Sequence, residues 1–276
     1  MNHTLMLMGR LMMAAIFVVA GYGKLLHHEA TITYMADAGM PFPSVVYYGA
    51  LLMELGVGLG LAAGLFTRAA ALALAVFCVV TALIFHSNFG DPNMRIQFLK
   101  NGIMAGALLF PAALGGGAFS LDAMLGRGDS QHGVPRSGSG MTAVLMLLGR
   151  ILAGGLFAYD GFGKLTHAET TLGLLTHASL PMPTLAYGVS ILVELGAGLA
   201  LIFGLFTRLS GLVLVLWCLV TAALFHIDFT VPGQQINFLK NITMAGGLLY
   251  VVVFGAGLYS IDAAIARRRS RGPAVT

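Results

Sequence analysis

Charged side chains are scarce in this chain. They make up 9% of its 276 residues, against roughly 25% in a typical soluble domain. Hydrophobic residues make up 58%, and the mean hydropathy is +0.87. A soluble protein of this length could not keep so apolar a surface in contact with water. The composition therefore excludes a soluble globular protein and predicts an integral membrane protein.

Cysteine is also rare, with two residues, Cys78 and Cys218, at equivalent points of apolar stretches. There is no Cys-x-x-Cys pair and no Cys/His spacing of the kind that holds a metal. Haem-ligand pairs and flavin or iron–sulfur motifs are missing from the sequence as well. We therefore predict no metal site and expect both cysteines to be small buried residues.

The chain is an internal repeat with an offset of 140 residues. In 53–68, 11 of 16 positions are identical to their counterparts in the second half, and in 98–109, 9 of 12 are. Each half is long enough to form a domain. The duplication also shows which polar residues were kept in both copies.

Each half contains four apolar stretches long enough to span a bilayer, which takes about 20 residues. Because four is even, both copies enter the membrane from the same side, as parallel repeats. The predicted fold is all-α and integral to the membrane, with eight transmembrane helices in two parallel-repeat four-helix bundles. The predicted spans lie near residues 5–26, 44–65, 68–88, 96–114, 145–166, 184–205, 208–228 and 236–256.

The predicted domains are residues 1–126 and 141–276, and the second ends in a basic tail. The segment 127–140 is polar and rich in Gly and Ser, which is typical of a flexible linker. The two halves would then form a pseudo-dimer within one chain.

The distribution of basic residues predicts that both termini are cytoplasmic. In that orientation ten Lys and Arg residues lie on the inner side and five on the outer side, as the positive-inside rule favours. The Arg cluster at 267–271 then contacts anionic lipid rather than nucleic acid. In a prokaryote this describes a protein of the inner (cytoplasmic) membrane.

Ionisable residues inside the membrane cost free energy, about 3 kcal/mol each on insertion scales, so those kept in both copies need a reason. Lys24, Glu54, His86 and Lys100 all fall in the outer half of the predicted bundle. We expect the four side chains of each repeat to face one cavity. The predicted proton-transferring residues are Glu54, His86, Glu194 and His226. The predicted cofactor-binding residues are Lys24, Lys100, Asn101, Lys164, Asp160, Lys240 and Asn241.

Aromatic residues cluster at the same level of the membrane: Tyr22, Tyr47, Phe85, Phe89 and Phe98. A cavity with cationic, carboxylate and aromatic walls suits a flat, lipid-soluble molecule with a polar head, such as a quinone. Glu54 or His86 would supply protons by general acid chemistry. Each residue also has a structural explanation: the lysines snorkel to the headgroups, the histidines are structural, and the glutamates form ion pairs.

The two copies differ in their polar residues. Ala20 corresponds to Asp160, which lies one turn before Lys164 and predicts an i, i+4 ion pair. Asn88 corresponds to Asp228, beside His226. These differences favour the hypothesis that one repeat is active and the other is degenerate.

Several motifs in each half resemble the DoxX family. They are Gly9-Arg10, Phe17, the segments Gly21 to Leu25 and Glu54 to Arg68, Phe85-His86, and Gly115 to Asp122, all repeated 140 residues later. The resemblance implies an inner-membrane protein built from a four-helix unit, here present twice. Some relatives are linked to quinone-dependent oxidation of thiosulfate and others to membrane-associated oxidoreductase complexes. The family offers no established catalytic motif to transfer.

The sequence leaves three functions open. The first is a membrane subunit of a quinone-linked oxidoreductase system, which would need a partner redox protein as its electron donor. The second is a non-catalytic scaffold or assembly factor. The third is a proton-coupled transporter of small solutes, since buried Glu and Lys in two pseudo-symmetric halves suit proton coupling.

Overall fold

A computed structural model describes residues 2–127, 140–178 and 180–270, and all regular elements in these ranges are helices. Eight of the helices are long and apolar enough to span a membrane. They are α1 (Asn2–Leu26), α2 (Pro43–Ala63), α3 (Thr67–Phe85), α4 (Pro92–Leu114), α5 (Gly140–Thr166), α6 (Pro183–Phe203), α7 (Thr207–Phe225) and α8 (Gln234–Phe254). The predicted all-α fold with eight spans is confirmed. The predicted linker lies, apart from its two end residues, outside the described ranges.

Four shorter helices accompany the spans in the part of the chain that the structure describes. They are His28–Asp37, Leu121–Met124, Ala168–His177 and Ile261–Ser270. The first and third have ten residues each and mix apolar with polar side chains. Hydropathy alone therefore does not predict them.

The fourth span of each repeat packs against the first span of the other repeat. α4 packs on α5 as well as on α3, and α8 packs on α1 as well as on α7. α4 and α8 also contact each other and are the most deeply buried spans. The two four-helix units thus interlock along their fourth helices.

Glycines allow these helices to approach closely. A Cβ on Gly9 would lie 2.6 Å from the carbonyl oxygen of Gly246, and a Cβ on Gly246 would lie 2.7 Å from that of Gly9. Gly106 and Gly149 meet in the same way between α4 and α5. No larger side chain fits at such backbone contacts, which is how small residues drive helix packing in membranes.

The end of the bundle opposite the lysines is held by two fully buried arginines, Arg10 and Arg150. Nη1 of Arg10 donates to the carbonyl oxygens of Ala62, at 3.0 Å, and Leu61, at 3.5 Å, and Nη2 donates to that of Phe119. The contact with Ala62 supplies a donor to a carbonyl in the last turn of α2. The Leu61 carbonyl also accepts from the backbone N–H of Gly64, and Phe119 lies in the segment after α4. Although the positive-inside count treats Arg10 as a charge near the membrane surface, it is a buried structural residue.

A carboxylate caps the start of each third span. Asp262 accepts hydrogen bonds from the backbone N–H groups of Phe206 and Thr207, both at 2.9 Å, and from the Thr207 hydroxyl at 2.7 Å. Asp122 caps α3 in the same way. The short helices that carry these aspartates are capped by Ser120 and Ser260.

We expect Asp262→Asn to destabilise the protein by about 1 kcal/mol, because asparagine keeps one acceptor oxygen and replaces the other by an NH2 group that cannot accept from Thr207. Burial raises the pKa of Asp262, but the hydrogen bonds from Thr207 and Phe206 outweigh it and hold the pKa below its ordinary value. The stabilisation is therefore present above about pH 4, the pKa of the unfolded chain, and is lost as the pH falls through the folded pKa.

Thermal unfolding in mild detergent, from neutral to acidic pH, measures this contribution. Wild type should lose its advantage over the Asp262→Asn variant as the solution is acidified. An advantage that persisted at acidic pH would contradict the assignment. Asp122→Asn serves as the matched variant in the other repeat.

Candidate functional site

The polar residues at the opposite end, which we call the lysine end, are organised around an irregular turn in α2. Glu54 lies in a π-helical segment, Leu52–Val57, and Glu194 lies in the equivalent segment of α6, Leu192–Ala197. A π-bulge inserts an extra residue into the helical turn and is frequent at functional sites. Both carboxylates are buried in the bundle, with 6% and 5% of their surface exposed.

In the first repeat, Glu54 pairs with Lys24 at the end of α1. Nζ of Lys24 lies 2.8 Å from both carboxylate oxygens, but only the contact with Oε1 has hydrogen-bond geometry. Oε2 is buried and has no hydrogen-bond partner among the described residues. Tyr47 supports the pair, since its hydroxyl donates to the backbone oxygen of Lys24 at 3.2 Å.

In the second repeat, the glutamate has additional partners. Lys164 binds Glu194 Oε2 and also Asp160, at 2.6 Å, which is the i, i+4 pair that the sequence predicted. Nε1 of Trp217 donates to Glu194 Oε1 at 2.9 Å. Both carboxylate oxygens of Glu194 therefore have hydrogen-bond donors.

The lysines of the fourth spans do not join the cluster of their own repeat, so the expectation that Lys100 faces Glu54 is wrong. Nζ of Lys100 lies 3.4 Å from Nε2 of His226 and 3.3 Å from Oδ1 of Asn237. It interacts electrostatically with Asp160 and Lys164. The reason is that α4 is wedged against α8, which directs Lys100 into the second repeat.

Lys240 of the second repeat likewise extends toward the first repeat. Its Nζ donates to Oε1 of Gln97 at 2.6 Å, and its charge interacts with His86 and with Cys78 of the first repeat. Nε2 of Gln97 donates in turn to Oδ1 of Asn237 at 3.0 Å. The second cluster thus receives a direct contact from the fourth span of the other repeat, Lys100 to His226, whereas the fourth span of the second repeat acts on the first cluster through the charge of Lys240.

The histidines end the third spans, and their environments differ between the repeats. Nδ1 of His226 lies 2.6 Å from Oε1 of Gln234. Nδ1 of His86 is buried and has no hydrogen-bond partner in the described part of the chain. Asp228 does not contact His226 but caps the next turn through Thr230, at 2.5 and 3.1 Å, and these hydrogen bonds hold its pKa below the ordinary value.

The last two candidate residues, Asn101 and Asn241, are buried side chains of the fourth spans. Asn101 is buried and donates to the Thr81 hydroxyl at 3.3 Å and to the Cys78 carbonyl at 3.5 Å, which ties α4 to α3. Asn241 is buried at the equivalent position of α8.

The aromatic residues do not form a single stack. Tyr22 is exposed, whereas Tyr47 is buried. Phe85 stacks on Tyr34, with ring centroids 5.8 Å apart, and Phe89 meets Phe98 edge-on at 5.0 Å.

The sequence analysis did not identify Trp217 or Gln234 as site residues. Each stands where the first repeat has an apolar side chain, Phe77 or Met94. That replacement of an apolar residue by a hydrogen-bonding one was the available signal. Neither residue is ionisable, so the charged positions of the two copies do not point to it.

Comparison with known proteins agrees with the architecture. Residues 5–87 and 145–227 each match the profile of the DoxX family. The chain belongs to the DoxX family. The two matches, one in each half, confirm the tandem duplication of the DoxX unit.

Two curated relatives match about one repeat of this DoxX chain. Inner membrane protein YqjF of Escherichia coli (strain K12) is 37% identical over 124 residues, which cover 44% of this chain and 92% of the relative. Inner membrane protein YphA of the same organism is 37% identical over 124 residues, covering 43% and 88%. No solved structure matches the chain at a significant level. The eight apolar helices and these relatives confirm an integral inner-membrane protein of the DoxX type.

Proposed function

We propose that this DoxX protein is a membrane subunit of a quinone-linked oxidoreductase system and that its lysine end binds the quinone head group. The observation that supports this most is the buried Lys24–Glu54 pair, placed on a π-helical turn and duplicated in the second repeat. Ionisable groups at such depth are costly and typically mark a functional pathway. A partner redox protein would supply the electrons.

The chemistry of the cluster fits a quinone in both of its redox forms. An ammonium group donates hydrogen bonds to a quinone carbonyl, and a carboxylate accepts hydrogen bonds from a quinol hydroxyl. Reduction of a quinone consumes protons and oxidation of a quinol releases them, and a glutamate and a histidine at the site can exchange those protons. Lys24, whose side chain is 23% exposed, leaves the cluster open at its edge to a lipid-soluble molecule.

We expect wild-type protein purified in mild detergent to carry quinone in its lipid extract, and Glu54→Gln and Lys24→Ala to lose most of it, because each removes one half of the ion pair. Quinone is quantified per protein by chromatography of the extract. Arg267→Gln, in the exposed C-terminal helix, is the control and should retain the wild-type amount. Well-folded wild-type protein that neither carries nor binds added quinone would contradict the proposal.

Proton-coupled transport is the second candidate, and the equivalent π-helical turns of α2 and α6 favour it. An irregular turn with a carboxylate, repeated in two pseudo-symmetric halves, is a feature of transporter sites. Solute uptake into proteoliposomes that is driven by a proton gradient and abolished by Glu54→Gln would favour transport. A co-purifying partner whose binding tolerates Glu54→Gln would favour a scaffold.

A further inference from the structure

The two lysine-end clusters share a backbone arrangement but differ in how completely their buried polar atoms are hydrogen-bonded. In the first repeat, Oε2 of Glu54 and Nδ1 of His86 are buried without a hydrogen-bond partner among the described residues, although Lys24 Nζ lies 2.8 Å from Oε2 as an ion pair. A buried polar atom without a partner costs free energy, so native proteins usually provide one. The lysine end of the first repeat therefore has two buried polar atoms that a bound molecule can satisfy.

In the second repeat, this chain's own side chains fill the same positions. Glu194 accepts from Trp217 as well as from Lys164. Nδ1 of His226 contacts Gln234, and Nε2 contacts Lys100.

Three differences between the repeats account for the contrast. The second repeat has Trp217, Gln234 and Asp160, and the first repeat has an aromatic or aliphatic residue at each of these positions: Phe77, Met94 and Ala20. Each polar residue of the second repeat forms a hydrogen bond within its cluster that the first repeat lacks. The second cluster is thus closed by its own side chains, whereas the first is not.

We propose that each chain binds one ligand molecule, in the first repeat, and that the ligand donates a hydroxyl hydrogen bond to Oε2 of Glu54, the oxygen that is ion-paired with Lys24 but accepts no hydrogen bond from it. This inference rests on the proposed function, for which it specifies the reduced form, a quinol, as the preferred ligand. An ionised carboxylate is an acceptor only, so a hydroxyl binds it and a quinone carbonyl does not. Lys240 of the other repeat donates to Gln97 of α4, and its charge acts on His86, so the surroundings of the site include both halves.

The first test uses full-length protein in detergent, titrated by calorimetry under argon with a short-chain benzoquinol and separately with its oxidised benzoquinone. We expect one quinol per wild-type chain, bound at least about tenfold more tightly than the quinone, as a hydrogen bond to a charged group allows. Phe77→Trp should weaken quinol binding by at least about tenfold, because the indole N–H takes the Glu54 oxygen, as Trp217 does for Glu194. Phe77→Leu, which adds no donor, should keep the wild-type affinity.

The reverse test opens the second repeat. The triple variant Asp160→Ala, Trp217→Phe, Gln234→Met gives the second cluster the side chains of the first and should raise the stoichiometry from one quinol to two. Thermal unfolding of each variant checks that it is folded. If the triple variant is unstable, the single substitution Trp217→Phe replaces it in this test.

The outcomes separate the two proposals. Two quinols per wild-type chain, or quinol affinity unchanged by Phe77→Trp, would overturn the assignment to the first repeat and leave the proposed function standing. One site that binds quinone and quinol equally would overturn the hydroxyl contact to Glu54. A folded wild-type protein that binds neither form would overturn the proposed function and this inference together.

Discussion

Replacing Arg10 with methionine is expected to destabilise the protein by about 3–5 kcal/mol, because its guanidinium is the hydrogen-bond partner of several buried backbone carbonyls. The side chain is fully buried and binds Leu61, Ala62 and Phe119. Methionine fills much of the volume but removes the guanidinium donors; the Leu61 carbonyl keeps the backbone N–H of Gly64, whereas the carbonyls of Ala62 and Phe119 lose Arg10. The expected drop in the unfolding midpoint is roughly 10 °C, measured by heating detergent-solubilised protein and following the monodisperse fraction.

Three further variants make this prediction specific. Arg150→Met should cost about as much, since Arg150 has the same role in the second repeat. Arg10→Lys should not restore stability, because a single ammonium group cannot reproduce the fork of the guanidinium. Arg267→Met, at an exposed position, should have no measurable effect. If Arg10→Met were as stable as Arg267→Met, the structural role would be wrong.

Gly149→Leu is expected to separate α4 from α5 and leave little monodisperse protein. A Cβ on Gly149 would lie 2.9 Å from the carbonyl oxygen of Gly106, and a Cβ on Gly106 would lie 3.1 Å from that of Gly149. Because both neighbours are backbone, a leucine can be accommodated only by moving a helix, at a cost of about 3 kcal/mol. Size-exclusion profiles normalised to expression measure the loss.

The matched control for this variant lies on the same helix. Gly155 has no atom within 4 Å of the position of its Cβ. Gly155→Leu makes the same change in size and hydrophobicity and should give a wild-type profile. Equal behaviour of the two variants would show that α4 and α5 tolerate greater separation than their contact indicates.

Much of the fold could be predicted from the sequence because the signals are local. Eight apolar stretches of spanning length and a repeat with a constant offset determine the number and order of the helices. Lys24 and Glu54 stood out because both are duplicated and ionisable in an apolar background, and the structure brings them together. The Asp160–Lys164 pair followed from spacing along one helix.

The exchange of the fourth helices could not be predicted in the same way. Nothing in the composition of α4 distinguishes packing against α1 from packing against α5, because both faces are lined by small and apolar residues. The partner of Lys100 therefore depends on tertiary packing, and the sequence analysis placed it in the wrong repeat. The π-helical turn at Glu54 is likewise not encoded by a local motif such as proline.

The hydrogen bonds that distinguish the two clusters could be predicted only in part from the sequence. Trp217 and Gln234 are visible as differences between the repeats, but their meaning depends on which atoms they reach. Trp217 is the single tryptophan of the chain, so no recurring spacing of tryptophans indicates its role. The structure is needed to show that it donates to the carboxylate of Glu194.

The contact between the first and last spans has a consequence for biosynthesis. A ribosome delivers α1 to the translocon long before α8, which begins at Gln234, has been made. Until α8 is inserted, Gly9 lacks the helix against which it packs, and Lys100 lacks the side-chain amide of Asn237. Insertion of α8 is therefore the closing step of assembly. A chain that stops before that step leaves Lys100 with His226 but without Asn237.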